Sequence, residues 1–371
     1  MKKYEVDMVR DVNVKYYFIR NLETLEIELL PTKFLKYKTQ ANKSPNTVCR
    51  LARSICYYMN YCSCQQMELK DVYQLNYEAQ FSHFTDFLQW LKAGNHTENL
   101  DERPKNGTCN TYLKNVFNYF SFLEMAEEQF GSLQVLFYST ISLPNRVGVK
   151  RKLSFRSFAG YLKEEERDVR AANKNEIVTI LEACTNCRDQ LLILMASELG
   201  FRIGELLGID YTKDIDYENH MVSVSFRDDN ENDARAKNAE ERKGRISDDT
   251  YDFLMFYISE YWDILQRQNY LFINLTGPTV GRPIQVDSVY DMLGRMEKKT
   301  GVKITPHMLR RYYANTRWES GWPLELLSQS LGHRHLDTTV RYLKKMDDKL
   351  KEASKEFFRQ NASLYSVKKL L

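Results

Sequence analysis

At 371 residues, with 43% hydrophobic and 28% charged residues, the chain is long enough for two domains and ordinary in composition for a globular protein. Its formal net charge of +3 is too small a total to indicate nucleic acid, and no apolar run approaches the roughly 18 residues of a membrane span. The opening MKKYEVDMVRDVN has no apolar stretch behind its lysines, so neither a signal peptide nor a membrane partner is expected, and the cytoplasm is the expected location. Residues 14 to 30 predict a small hairpin inside an N-terminal arm of residues 1–30: VKYYFI, the turn-like RNLET, then LEIELL. Ser44-Pro45-Asn46-Thr47 predicts a helix start, with Ser44 capping free amides and Pro45 at the first helical position. Val48, Leu51, Ala52 and Ile55 then recur at helical spacing. YEAQFSHFTDFLQWLKAG and TYLKNVFNYFSFLEMAEEQF repeat the pattern, so residues 31–140 are expected to be a helical bundle.

Between Leu143 and Arg156 lie Arg146, Lys150, Arg151, Lys152 and Arg156 without one acid. Pro144 and Gly148 argue against a regular element there, so residues 141–172 are expected to be an extended basic linker, a DNA strap or a solvated connection. From Asn173 helical patterning resumes with EIVTILEAC and DQLLILMASEL, which stops at Gly200. Val222, Val224 and Phe226 alternate with serines and predict a strand. A polar stretch, RDDNENDARAKNAEERKGR, follows and is expected to form a hairpin or long loop. DSVYDMLGRMEKKTG, HMLRRYYANTRWESG, PLELLSQSLGH and HLDTTVRYLKK read as further helices, giving a mostly helical domain with one small sheet over 173–345. The tail, 346–371, carries a sparse apolar stripe that either folds back on its own domain or packs on a partner. Seven scattered cysteines, including the lone pair Cys184 and Cys187 and the close pair Cys62 and Cys64, fit thiols better than disulfides or a zinc site.

Four separated features read as one site: Arg202 in GFRIGELL, His307 and Arg310 in HMLR, His333 in LGH, and Tyr342 nine residues beyond His333. A spacing of three puts His307 and Arg310 on one helical face. Each piece alone is weak, but in this order and spacing they resemble the tyrosine recombinase, or phage integrase, family. The resemblance covers 173–345, KSPNTVCRLARSICYYMNY is similar to the first helix of the family's core-binding domain, and the combination YYFI, KSPNT, RDDNENDARAK and ER is closest to the integrase-like transposases of transposons.

The resemblance implies a mainly α fold with a small β-sheet: a helical core-binding domain plus a mixed α/β catalytic domain. It also implies cleavage and rejoining of double-stranded DNA through a 3′-phosphotyrosine, in a homo-tetramer on DNA, with helper proteins as further candidate partners and a nucleoid-associated location. These roles make physical sense. A phosphodiester gains negative charge when attacked, and the planar forks of Arg202 and Arg310 can hold its oxygens without a metal. His307 and His333 complete the cradle as donors, with His307 also a candidate for removing the tyrosine proton. Tyr342 is the nucleophile; forming its phenolate near neutral pH costs on the order of 4 kcal/mol without help, which the cationic cluster supplies. Since the covalent intermediate keeps the bond energy, rejoining calls for no nucleotide cofactor or metal, and no GxxxxGK[ST] stretch is present.

The family also takes the leaving-group proton from a lysine on a hairpin turn, for which Lys237 and Lys243 are the candidates. Lys237 keeps the family's interval before the return strand and is preferred. Glu205 either supports the site or is an ordinary surface glutamate, and His335 reads as surface or DNA-facing rather than metal-binding. Arg146, Lys150, Arg151 and Lys152 are the expected phosphate contacts. The competing functions are a topoisomerase that reseals the strand it nicks and a DNA-binding protein without catalysis.

Overall fold

The computed structural model describes the chain except at positions 1, 12–13, 99–102, 127–129, 145–149, 166–169, 228–229, 233–240, 334–335, 341–342, 344–353, 355–358 and 360–371; at 141–144, 150, 151, 153 and 337 it describes the backbone alone. The chain packs as two units, Met1–Arg167 and Asp168–Leu371.

The first unit opens with an antiparallel hairpin, β1 (Tyr4–Asp11) against β2 (Val14–Asn21), in register from Tyr4↔Asn21 to Asp11↔Val14. This corrects the hairpin expected over 14–30. VKYYFI is the second strand, and its partner is YEVDMVRD, in which Tyr4, Val6 and Met8 alternate with charged residues. LEIELL supplies only the isolated bridge Arg20↔Ile27 before helix α1 (Leu29–Gln40) begins. Pro31 falls in the first turn of α1, where a missing N–H leaves no intrahelical bond unmade.

Helix α2 (Pro45–Cys64) starts as its sequence requires, with the Ser44 side chain accepting from Thr47 N–H and Pro45 in the first turn. Asn60 of α2 fastens the hairpin: its Oδ1 accepts from the backbone N–H of Lys3 at 2.8 Å and of Tyr4 at 2.9 Å, and its Nδ2 donates to the Tyr4 carbonyl at 3.0 Å. Helices α3 (Leu69–Gln74), α4 (Tyr77–Lys92) and α5 (Asn106–Ala126) complete the bundle. Its core is aromatic, with Tyr58 packed edge-on against Phe87 and Phe120 at centroid distances of 5.1 and 5.5 Å. The Tyr58 hydroxyl finds its partner in Nε2 of His83, 2.9 Å away, and burial pushes His83 down to about 4, so the ring is neutral.

The expected basic linker contains regular structure. Strands β3 (Phe137–Pro144) and β4 (Lys150–Ser157) pair antiparallel from Phe137↔Ser157 to Pro144↔Lys150. Pro144 ends its strand, a position where an absent N–H is tolerated. The segment after β4 belongs to the bundle: Phe158 is buried with Phe84 and Phe117, and the Asn110 side chain bonds Leu162 through both its donor and its acceptor. The division between the units, after Arg167, falls within the expected linker of 141–172.

In the second unit, α6 (Lys174–Ala183) carries a capping box between Asn173 and Glu176. Helix α7 (Cys187–Leu199) ends in Gly200 with φ 61°, and the short α8 (Ile203–Leu206) follows. A three-stranded antiparallel sheet runs in the order β5 (Ile215–Asp216), β6 (Met221–Val224), β7 (Arg242–Arg245). Helices α9 (Asp248–Glu260), α10 (Trp262–Leu265) and α11 (Val286–Thr300) cover the core. α12 (Pro306–Glu319), α13 (Leu324–Leu331) and α14 (Leu336–Val340) close the unit. All seven cysteines are thiols, and no described helix is long and apolar enough to cross a membrane.

Candidate active site

The site forms where three helix ends meet. Gly200 stops α7 in the left-handed conformation, and Arg202 becomes the residue before α8. Thr305 caps α12 through Met308 N–H with Pro306 in the first turn, which places His307 and Arg310 one turn apart near that end. Gly332 stops α13 with φ 61°, and the backbone N–H of His333 reaches the Ser328 carbonyl at 3.0 Å, the six-to-one bond of a Schellman close.

Arg310 is almost wholly buried, at 1% exposure. Its Nη1 donates to the Gly200 carbonyl at 2.6 Å, and its Nη2 donates to the Leu331 carbonyl and, at 3.0 Å, to Nε2 of His333. One guanidinium therefore joins the ends of α7 and α13 to α12. A guanidinium only donates, so Nε2 of His333 accepts and its ring proton sits on Nδ1, which donates to Thr339 Oγ1 at 2.9 Å. Burial first, then the charges of Arg310, Arg202 and Arg242, push His333 down to about 3, so this ring is neutral as well.

Arg202 is more open, its side chain 22% exposed, with Nη1 on Glu205 Oε1 at 2.8 Å and Nη2 on the Gly332 carbonyl at 3.2 Å. Glu205 is no surface glutamate: its side chain is fully buried. Burial alone would raise its pKa, but hydrogen bonds and charge from Arg242, then Arg202, hold it below the usual carboxylate range. His307 is exposed at the second position of α12.

The structure thus brings Arg202, Arg310 and His333 together and puts His307 on the helix of Arg310. Lys237, Tyr342, Arg146 and His335 lie outside the described residues. Lys150 and Arg151 are backbone positions of β4, and Lys152 is exposed on that strand. Lys243 is an exposed residue within β7, paired with Ser223. Sequence reasoning missed Arg242, the buried first residue of β7; its only signal was an arginine beside the lysine candidates, in a stretch whose charge reads as solvated.

The phage integrase family model matches residues 169–349, the span of the second unit that holds Arg202, Arg310 and His333. Transposase A from transposon Tn554 of Staphylococcus aureus is 29% identical over 329 residues, covering 83% of this chain and 84% of its own length. The tyrosine recombinase XerA of Saccharolobus solfataricus is 31% identical over 180 residues, 48% of this chain and 54% of its own. The second unit is a phage integrase family domain, that of the tyrosine recombinases. The solved structure of the Tn1549 transposon integrase, in complex with a circular intermediate DNA, shares the fold of this recombinase. It has a TM-score of 0.57 at 16% identity, covering 88% of this chain and 98% of that one. The site-specific recombinase XerH, bound to its difH substrate, does so at 0.56 and 18%, covering 90% and 86%. The mostly helical architecture with small sheets is the one its sequence implied.

Proposed function

We propose that this recombinase cuts and rejoins the DNA of a mobile element, with Tyr342 as nucleophile and the Arg202, Arg310, His307 and His333 cluster as the cradle for the scissile phosphate. The observation that carries this reading is the convergence of Arg202, Arg310 and His333 from three helix ends onto one cationic spot. Arg202 offers its exposed side to an entering phosphate. That anion competes for the Arg310 proton now given to His333 Nε2, and the freed imidazole donates from Nε2 once its single ring proton has moved there from Nδ1, which then accepts from the Thr339 hydroxyl. Each fixed donor gains strength as the phosphorus takes on charge. The sequence places Tyr342 two residues past α14, the helix that holds Thr339.

Lys237 is the proton donor to the leaving 5′-oxygen. Alternation along β7 supports the choice: Arg242 points at Glu205, so Lys243 points to the opposite face, away from the phosphate cradle. Basic residues 146 and 150–152 belong with duplex phosphates, and the ribbon form of β3 and β4 suits a groove. The recombinase acts as a tetramer, its tail docking on a neighbour. A groove of about 1000 Å³ in the second unit, with Ile177, Val178, Leu194, Trp322 and Leu326 among its walls, offers an apolar seat for the tail's stripe.

Mixing the recombinase with a nicked duplex and running a denaturing gel tests the central claim. Wild type should leave a covalent protein–DNA band, while Tyr342→Phe should bind the duplex and leave none. An adduct in the Phe variant would transfer the nucleophile elsewhere.

A further inference from the structure

We infer that Arg242 is a positioning residue of strand cleavage: it neutralises Glu205, so that this carboxylate can aim Arg202 without cancelling the positive field at the phosphate. The inference rests on the reading of Arg202 and Arg310 as phosphate donors.

Three guanidiniums close around the buried Glu205. Its Oε1 accepts from Arg202 Nη1 at 2.8 Å and Arg242 Nη1 at 3.2 Å. Its Oε2 accepts from the Arg202 backbone N–H at 2.6 Å and Arg242 Nη2 at 2.5 Å, with Arg310 Nη1 4.0 Å away. The two bonded arginines are used differently. Arg202 lends Glu205 one end of its fork and stays partly open, whereas Arg242 gives both ends and is 5% exposed. The Arg242 Nε donates to the Ser330 carbonyl at 2.9 Å, and its guanidinium lies 4.9 Å from the Phe201 ring centroid. Arg242 therefore has no face left for substrate; all of its bonding goes to the protein.

Charge decides what that bonding achieves. Three guanidiniums and one carboxylate carry +2 (3 − 1), and losing Arg242 would leave +1, with the buried carboxylate set against the two phosphate donors Arg202 and Arg310 alone. In a buried setting such a carboxylate weakens a neighbouring cation far more than it would in water. The backbone is shaped around the clamp. A Cβ on Gly332 would stand 2.8 Å from Arg242 Nη1, so the glycine lets the chain pass close enough for its own carbonyl to accept from Arg202. Arg242 also opens β7 two positions past the stretch 233–240, and Asn232 on the other side of that stretch is pinned through its Nδ2 to the Leu207 and Ile284 carbonyls, each at 3.0 Å.

Single-turnover cleavage by the full chain, with DNA affinity and thermal midpoint measured alongside, tests this in a double-mutant cycle. Arg242→Met should cleave about 100-fold more slowly while affinity holds within about threefold, because only transition-state field is lost. Arg242→Lys, which keeps the charge, should stay within about 10-fold of wild type. In a Glu205→Gln background, Arg242→Met should cost less than about fivefold, since no carboxylate remains to neutralise. An equal loss in both backgrounds, or a Lys variant as slow as the Met variant, would overturn the inference. Should Arg242→Met alone fail to fold, a double variant that folds and cleaves gives the same support, and one that also fails counts against it. Arg202→Ala separates the two layers. Normal cleavage there sinks the phosphate-donor reading itself, whereas a dead Arg202→Ala beside an unaffected Arg242→Met sinks only the role of Arg242.

Discussion

Lys237 and Lys243 are six positions apart, and the chemistry asked of a general acid tells them apart. If Lys237 protonates the departing 5′-oxygen, Lys237→Ala should slow cleavage of ordinary DNA by roughly 100- to 10,000-fold without weakening binding. Sulfur at the 5′-bridging position leaves as a thiolate, which needs no proton because thiols have pKa values of about 8.5. Cleavage of that substrate by Lys237→Ala should approach the wild-type rate. Lys243→Ala should show a small defect that sulfur does not repair, since Lys243 stands on the opposite face of β7 from the Arg242 clamp. Sulfur rescue of Lys243→Ala in place of Lys237→Ala would reverse the assignment.

Between elements, the contact of α7 with α12 sets the cradle. At Gly200 a Cβ would meet the Tyr313 ring at 2.4 Å, and that ring is itself held, with the Arg317 guanidinium 4.8 Å from its centroid and Trp322 edge-on at 6.4 Å. Adding a methyl there has to move either α12 or the end of α7, and the Gly200 carbonyl is one of the two that grip Arg310. Gly200→Ala should cost more than about 2 kcal/mol, the left-handed backbone penalty plus overpacking, and should lose most cleavage. Gly301 is the matched control: its φ is 72°, but its Cβ would meet nothing within 4 Å. Gly301→Ala should cost only about 1 kcal/mol and keep its cleavage rate. Urea unfolding and single-turnover cleavage on both variants check this; equal losses would mean that backbone strain, not the packing of the helices, explains the effect.

Across the whole molecule, each unit holds a histidine kept neutral by its surroundings, His83 in the first and His333 in the second. Their folded-state values, about 4 and about 3, lie below the ordinary value of 6.5. Between those values and 6.5 the unfolded chain binds more protons than the folded one, so stability rises with pH. The contribution is fully present above pH 6.5 and is lost as pH falls through that window. The melting midpoint should therefore drop between pH 6.5 and 4.5, and His83→Gln, whose amide can still meet the Tyr58 hydroxyl, should flatten part of that drop. An unchanged slope in the variant would remove His83 from the account.

How much of this was legible beforehand follows from the range of the forces involved. Ser44 caps its helix as read, because a cap depends on residues within one turn. Arg202, Arg310 and His333, which the structure brings together, were legible as one group because their order and spacing resemble those of a known family. The hairpin was misplaced because a strand's local pattern does not choose its partner, and β2 took the strand before it rather than the LEIELL after it. Pro144 and Gly148 hid the β3 and β4 ladder because local breakers were weighed without the pairing that tolerates one at a strand end. Only the tertiary structure made Glu205 a buried anion and Arg242 its partner. Their contact spans 37 positions, and the energy of a buried charge depends on what folding brings beside it, which no local pattern records.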